Sequence, residues 1–143
     1  DTLRGNTLSD NNVGICFSNS SENTFHRNNF IQNFTQITDE YLFPNTWDDR
    51  NSLPGPFPCP ICGKPRPVGN YWSDYIGKDD GSFTQAHNCP GDGIGDTALP
   101  HQGVDYYPLM KPWLPLIGDI DYNGIVNLND VYKLARNFGK TSP

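Results

Sequence analysis

Residues 5–33 read GNTLSDNNVGICFSNSSENTFHRNNFIQN. Within this stretch Asn6-Thr7-Leu8 recurs as Asn23-Thr24-Phe25, and each copy is followed at the same distance by another asparagine, Asn11 or Asn28. Short alternating segments between polar corners are typical of strands of three or four residues joined by turns. Asparagine tolerates left-handed backbone angles, so stacked corners are expected to form ladders of asparagine side chains. The stretch therefore predicts a mainly β chain built from repeated coils.

This repeat resembles the parallel β-helix repeats of archaeal and bacterial surface proteins, the group that includes the NosD-like and carbohydrate-binding/sugar-hydrolase (CASH) families. The resemblance implies a short right-handed parallel β-helix over residues 1–46. A solenoid needs roughly three repeats to bury its core, and only one or two are found here. We therefore expect a piece cut from a longer helix, or a coil end covered by another chain. The edge of a small β-sandwich is the alternative.

Three motifs follow in order: residues 69–75 read GNYWSDY, residues 91–97 read GDGIGDT and residues 105–109 read DYYPL. The ordered set resembles the C-terminal cap of NosD-like β-helix proteins, and it implies a loop-rich cap over residues 47–112 with an inserted Cys/Pro segment. Aromatic side chains of large area are expected to plug the end of the solenoid. These are Trp72, Tyr75, Tyr106 and Tyr107.

The cysteines predict disulfides, because an even number of them occurs in an acidic, Gly/Pro-rich chain of exported type. Ile15 and Phe17 should point into the coil, which places Cys16 outside, where it could staple the proline-rich loop. The preferred pairing joins two cysteines, Cys16 and Cys89, to two others, Cys59 and Cys62, in either order. Zinc is the alternative, because Cys59-Pro-Ile-Cys62 resembles a zinc knuckle. Its ligands would be Cys59, Cys62, His87 and Cys89.

Residues 119–130 read DIDYNGIVNLND and place side-chain oxygens at positions 1, 3, 5, 9 and 12 of a calcium loop, with Gly124 at the sharp turn. The predicted Ca²⁺ ligands are the side chains of Asp119, Asp121, Asn123, Asn127 and Asp130 and the backbone carbonyl of Ile125. Apolar residues of helical period follow the loop, and Asn127 with Asp130 can cap that helix. A polar turn before a helix is the alternative.

Residues 118–139 resemble one calcium-binding repeat of a type I dockerin, which implies a small calcium loop–helix element within residues 113–143. A dockerin carries two such repeats, and one is found here. The missing second repeat argues against the implied cohesin binding but leaves the prediction of calcium binding largely unchanged.

Residues 88–96 have two equally favoured interpretations, of which the first is a second calcium loop. Asn88, Asp92 and Asp96 would supply side-chain oxygens and Ile94 a carbonyl oxygen, although Pro90 has none to offer in its side chain. The other interpretation is that Asp92 and Asp96 cap turns.

Composition excludes some functions. A net charge of −6 and a pI of about 4.7 argue against a nucleic-acid partner and suit a protein that binds cations. The longest apolar run, residues 109–117, is broken by Lys111, Pro112 and Pro115, so no membrane span is predicted.

The chain is not predicted to be an enzyme. The ionisable residues of the coil region form no carboxylate pair, and no nucleophile motif occurs. One methionine and three histidines are too few soft ligands for the copper delivery that the NosD resemblance raises.

The sequence favours a calcium-stabilised structural protein of the extracellular space or cell surface. Its open coil end predicts head-to-tail self-association into a fibre. The first alternative is a carbohydrate- or protein-binding module with Trp47 and Trp72 as exposed sugar platforms, at the end of a longer surface protein. The second is a fragment of a polysaccharide-active β-helix enzyme. Asn19 and Asn33 begin N-glycosylation triplets on predicted surface turns.

Overall fold

The computed structural model describes residues 1–39, 44–50, 57–58, 65–83, 89–114, 118 and 126–138. The chain divides into two compact units, Asp1–Trp113 and Leu114–Pro143. Short strands make up the described secondary structure of the first unit, and a single helix, α1 (Leu128–Asn137), is described in the second. The mainly β class predicted from the sequence is confirmed.

Six strands of the first unit form two consecutive coils. The first coil contains β1 (Thr2–Arg4), β2 (Thr7–Ser9) and β3 (Val13–Phe17), and the second contains β4 (Thr24–His26), β5 (Asn29–Ile31) and β6 (Thr35–Asp39). Each strand pairs in parallel with its counterpart one coil later, β1 with β4, β2 with β5 and β3 with β6. The parallel pairing agrees with the sequence prediction.

The register of the repeat differs from the one that the sequence suggests. The recurrence of Asn-Thr-Leu/Phe aligns Asn6 with Asn23, but in the structure Asn6 lies opposite Asn28, 22 residues away, and Asn23 lies opposite Asn45. The reason is that several corners of one coil carry an asparagine. A motif from one corner therefore matches a different corner of the next coil.

Left-handed backbone angles belong to the residue before five of the corner asparagines, Asn6, Asn11, Asn23, Asn28 and Asn33. The asparagines at these corners do not adopt them, contrary to expectation, although Asn19 does, with φ of 47°. A corner asparagine is used instead for hydrogen bonds between coils, and its predecessor makes the turn. The predecessors with positive φ are Gly5, Asp10, Glu22, Arg27 and Gln32.

The core of the first unit is small and aromatic. Phe30 stacks on Trp72 with ring centroids 4.2 Å apart, and Phe25 stacks on Trp47 at 4.7 Å. Phe17 completes the buried cluster. Stacked and edge-to-face aromatic pairs contribute roughly 0.5–1.5 kcal/mol each beyond the area that they bury. The tryptophans that follow the second coil thus close its apolar interior.

The cap continues the sheet of β2 and β5. Strand β9 (Tyr71–Trp72) pairs in parallel with β5, and Leu109 bridges Tyr71 on its far side. Within the proline-rich segment, β7 (Phe57–Pro58) pairs antiparallel with β8 (Pro65–Arg66). Strand β9 and Leu109, which are far from β5 in the sequence, are thereby layered in turn over β5.

Candidate functional site

Asparagine ladders connect successive layers: two pairs join the first coil to the second, and one pair joins the second coil to the segment that follows β6. In each, Oδ1 of the asparagine in the second layer accepts from both the backbone N–H and Nδ2 of the asparagine 22 residues earlier, at 3.0–3.2 Å. The Nδ2 group of the accepting residue also donates to a backbone carbonyl of the preceding coil. The pairs are Asn6–Asn28, Asn11–Asn33 and Asn23–Asn45. Buried amides are thus satisfied, as an interior requires.

The first ladder continues into the cap and ends at Asp105. Asn28 donates its backbone N–H and Nδ2 to Oδ1 of Asn70, at 3.1 and 3.0 Å. The backbone N–H of Asn70 then donates to Oδ2 of Asp105, at 2.8 Å. An Asp side chain accepts without passing on an N–H, so the ladder terminates there.

Asp105 is fully buried and surrounded by donors. Its Oδ2 accepts from Trp72 Nε1 at 2.9 Å, and its Oδ1 accepts from the N–H of Tyr107 at 2.9 Å. A Cβ at Gly69 would lie 2.1 Å from this carboxylate, so only glycine leaves room for it. Burial raises the pKa of Asp105 to about 6, against the opposing effect of the donated hydrogen bonds. In the sequence, Asp105 is identified only as the first residue of a cap motif. The feature that could have revealed its role is an acidic residue within a segment expected to be buried.

A buried ion pair ties the cap to the second coil. Arg27 Nη2 contacts Asp49 Oδ2, and both side chains are almost completely buried. Asp49 Oδ1 also accepts from the N–H of Val68 at 2.7 Å, while the Arg27 guanidinium lies 5.1 Å from the ring centroid of Trp113. Burial raises the pKa of Asp49 despite the attraction of Arg27. Nothing in the local sequence pairs these two residues, which the sequence analysis missed.

Trp113 is held by the second coil. Its N–H donates to Oδ1 of Asn29 at 2.6 Å, and Nδ2 of Asn29 donates back to the Trp113 carbonyl at 3.0 Å. This reciprocal pair fixes the last residue of the first unit to β5.

His26 is the one buried histidine among the described residues, but its surroundings do not suit copper. Neither ring nitrogen has a hydrogen-bond partner. Burial, followed by repulsion from Arg27 and Arg4, lowers the pKa of His26 to about 4. The same two arginines would repel a metal cation. Where the chain is described, no group of three or more His, Cys, Asp or Glu side chains could hold a metal ion. The described residues therefore do not fit a copper centre.

The predicted calcium loop lies mostly outside the described residues, including Asp119, Asp121, Asn123 and Ile125. The two ligands that are described form a capping box at the start of α1. Asn127 accepts from the N–H of Asn129 at 2.7 Å, and Asp130 accepts from the N–H of Asn127 at 2.8 Å. The predicted helix and its cap are confirmed, and calcium binding stays a prediction.

The carboxylates of the second predicted calcium loop accept hydrogen bonds from backbone N–H groups. Asp92 Oδ1 accepts from the N–H of Ile94 at 2.9 Å, as a turn cap would, and Asp96 Oδ2 accepts from the N–H of Gly81, 15 residues earlier, at 2.6 Å. Both interpretations of this segment stay predictions. Asn88 lies outside the described residues, so its part in a calcium site is a prediction without a structural account.

The cysteines are only partly described. Cys16 lies on the outside of β3, as alternation predicts, but its thiol is free, contrary to the predicted pairing with Cys59 or Cys62. The physical reason is its place in the first coil, since the cap packs on the second. Cys89 is buried. Its disulfide and the zinc alternative stay predictions, because Cys59, Cys62 and His87 lie outside the described residues.

Burial contradicts two predictions of surface chemistry. Trp47 and Trp72 are 6% and 1% exposed, so they cannot serve as sugar platforms. Asn33 is 9% exposed, and its Nδ2 donates to Leu8 O and Gln36 Oε1, which leaves no room for a glycan in the folded chain. Asn19 is exposed and stays a predicted glycosylation site.

A family model described as periplasmic copper-binding protein (NosD) matches residues 1–77, which include both coils, Asn70 and Trp72. No curated protein and no solved structure matches the chain. In the part of the chain that the structure describes, no helix has the length and apolar character needed to cross a bilayer. Since the family model covers more than half of the 143 residues, the chain belongs to the NosD family.

Proposed function

We propose that this chain is a non-enzymatic structural module of an exported surface protein, in which the cap closes one end of a right-handed parallel β-helix. The observation that carries the proposal is the end of the first ladder at Asp105. An asparagine accepts through Oδ1 and donates through Nδ2, so it can extend a ladder in both directions, whereas a carboxylate can only accept. A buried carboxylate at this position suits the final layer of a solenoid.

The buried carboxylates of the first unit support a structural role. Asp49 forms an ion pair with Arg27, and Asp48 forms one with Arg50 at 2.8 Å. Asp105 accepts four hydrogen bonds from N–H groups. Side chains committed to such contacts are poorly placed for acid–base work on a polysaccharide. Turnover of an acidic or neutral polysaccharide by the purified chain would overturn this part of the proposal.

Hydrogen exchange tests whether the cap closes the end of the coils. Tyr71 and Ser73 donate to the carbonyls of Asn28 and Phe30, at 2.9 Å each, so we expect these cap amides to exchange together with those of β5. Trp72→Ala should accelerate exchange in both segments, because it opens the interior that Trp72 shares with Phe30. Helix α1 provides an internal control. Cap amides that exchange freely while β5 stays protected would contradict the proposal.

We also propose that residues 119–130 bind a calcium ion. The capping box supports it, because Asn127 and Asp130, the ninth and twelfth loop residues, are held at the start of a formed helix. Such an ion would stabilise the second unit.

We expect calorimetric titration to show one calcium ion bound by this loop, and Asp119→Ala to abolish that binding. Calcium at about 100 times its dissociation constant should stabilise the second unit by about 2.7 kcal/mol. Asp10→Asn, a change at a coil corner, is the matched control and should bind calcium as the native chain does. Unchanged binding by the Asp119 variant would exclude the loop as the site.

The head-to-tail fibre suggested by the sequence requires an open coil at both ends. Trp47 and Trp72 occupy the interior after the second coil and are themselves buried, so that end offers no open coil to a neighbour. The proposal therefore retains a structural surface role without polymerisation.

A further inference from the structure

His26 lies on the outer face of the second coil. Leu3 and Phe25 pack in the aromatic core, so the residues that follow them, Arg4 and His26, project from the opposite face of their strands. Arg4 and His26 are partners in the parallel register of β1 and β4, so their backbones lie about 4.8 Å apart. Arg4 is exposed, whereas His26 is 1% exposed. The imidazole is therefore buried among groups outside the coil, away from the core.

The buried imidazole lacks hydrogen-bond partners. Among the described residues, none bonds to either ring nitrogen of His26. A neutral imidazole has one N–H to donate and one nitrogen lone pair that accepts, so both functions are left unused. An unpaired buried polar group commonly marks the place of a bound water or ion. The environment of His26 therefore indicates a small polar ligand.

The charges around His26 favour an anion over a cation. Burial, followed by repulsion from Arg27 and Arg4, lowers the pKa of His26. Asp48 acts in the opposite direction, but its carboxylate already accepts three hydrogen bonds from the Arg50 side chain, at 2.8–3.1 Å. The guanidinium groups that disfavour a copper ion at this position would attract a negatively charged group.

We propose that Arg4 and His26 bind a small oxyanion, such as phosphate or sulfate, and not the copper ion for which the family is described. The oxyanion accepts hydrogen bonds from the Arg4 guanidinium and from the His26 ring. An imidazolium ring donates from both nitrogens, so binding is coupled to the uptake of a proton by His26. Because Arg4 is exposed, a change of its rotamer gives the anion access to the buried ring. This site is separate from the closure of the coils by the cap.

The test is an NMR titration of the native chain with sodium phosphate at about pH 5, with sodium chloride of equal ionic strength as the reference. We expect phosphate to shift the His26 ring resonances saturably and to raise the pKa of His26, because a bound negative charge favours the imidazolium. The affinity for phosphate should consequently increase as pH falls below 6. Copper(II), titrated separately, should leave the His26 resonances sharp.

Two variants with the same change of charge locate the site. Arg4→Gln should weaken phosphate binding about tenfold, because it removes a charge-assisted hydrogen bond. The matched control is Lys78→Gln: Lys78 is exposed in the cap and is not among the charged groups that act on His26. This variant should bind phosphate as the native chain does. The titration of the native chain does not depend on the folding of either variant.

Several results would overturn this inference. Shifts of equal size in sodium chloride would reduce the effect to ionic screening. His26 resonances that do not respond to phosphate would leave the ring to a bound water, and equal affinities of the Arg4 and Lys78 variants would exclude Arg4 from the site. Broadening of the His26 resonances by stoichiometric copper(II) would assign the position to the metal.

Discussion

Asp105→Ala is expected to lower the free energy of unfolding of the first unit by about 4 kcal/mol. The substitution removes the acceptor for Trp72 Nε1 and for the backbone N–H groups of Asn70 and Tyr107. Each buried donor left unpaired costs about 1–3 kcal/mol. Urea denaturation followed by tryptophan fluorescence measures the change. A loss below about 1 kcal/mol would show that the carboxylate does not hold the cap.

Two variants serve as controls for Asp105. Asp80 is exposed and accepts from the N–H of Ser82, so Asp80→Ala removes a carboxylate without touching the ladder, and no measurable change is expected. Asp105→Asn retains the volume but turns an amide NH₂ towards N–H donors. We expect an intermediate loss, because one end of the amide has no acceptor to meet.

The pH dependence of Asp105 has a defined sign. Its folded pKa of about 6 lies above the ordinary aspartate value of 3.8, so the folded chain binds more protons between these two pH values than the unfolded chain does. Stability from this group is therefore gained as pH falls from 6 towards 4 and lost as pH rises through 6, by an amount on the order of 2–3 kcal/mol. Asp105→Asn should lack this contribution. The difference between the two unfolding free energies isolates it, because His26 titrates in both proteins.

The strand class of the first unit and the helix α1 could be predicted from the sequence because local patterns encode them. Alternation places Phe17 inside and Cys16 outside, and the structure agrees. The capping box of α1 is equally local, since its two members are three residues apart. Such features depend on strand and helix periods that can be counted along the chain.

The register and the contacts of the site could not be predicted in the same way. An asparagine at several corners makes the repeat degenerate, so the local match favours Asn6 with Asn23, whereas coil length selects Asn28. Asn70 and Asp105 are 35 residues apart and meet only because loops return the chain to the ladder. Trp72 illustrates a related ambiguity, since a tryptophan suits an exposed sugar platform as well as a buried plug.

Asp49→Asn is expected to destabilise the first unit by about 3 kcal/mol. The Arg27 side chain is 4% exposed, and the substitution would remove the buried carboxylate that contacts its Nη2 atom. Removing one member of a buried pair costs far more than the net contribution of the intact pair. The neighbouring pair of Arg50 with Asp48 is the matched control: the Arg50 side chain is 47% exposed, so Arg50→Ala should cost about 1 kcal/mol or less.

The double variant Arg27→Gln with Asp49→Asn separates the charge from the packing. Replacing both partners removes both buried charges and retains side chains able to form a hydrogen bond, so we expect part of the lost stability to return. A coupling energy of about 2 kcal/mol from the double-mutant cycle is the expected result. It should persist in high salt, because screening acts weakly on buried pairs. Additive losses, or a coupling that disappears in salt, would mean that the cap is held to the second coil mainly by Trp72 and the ladder, with little contribution from this ion pair.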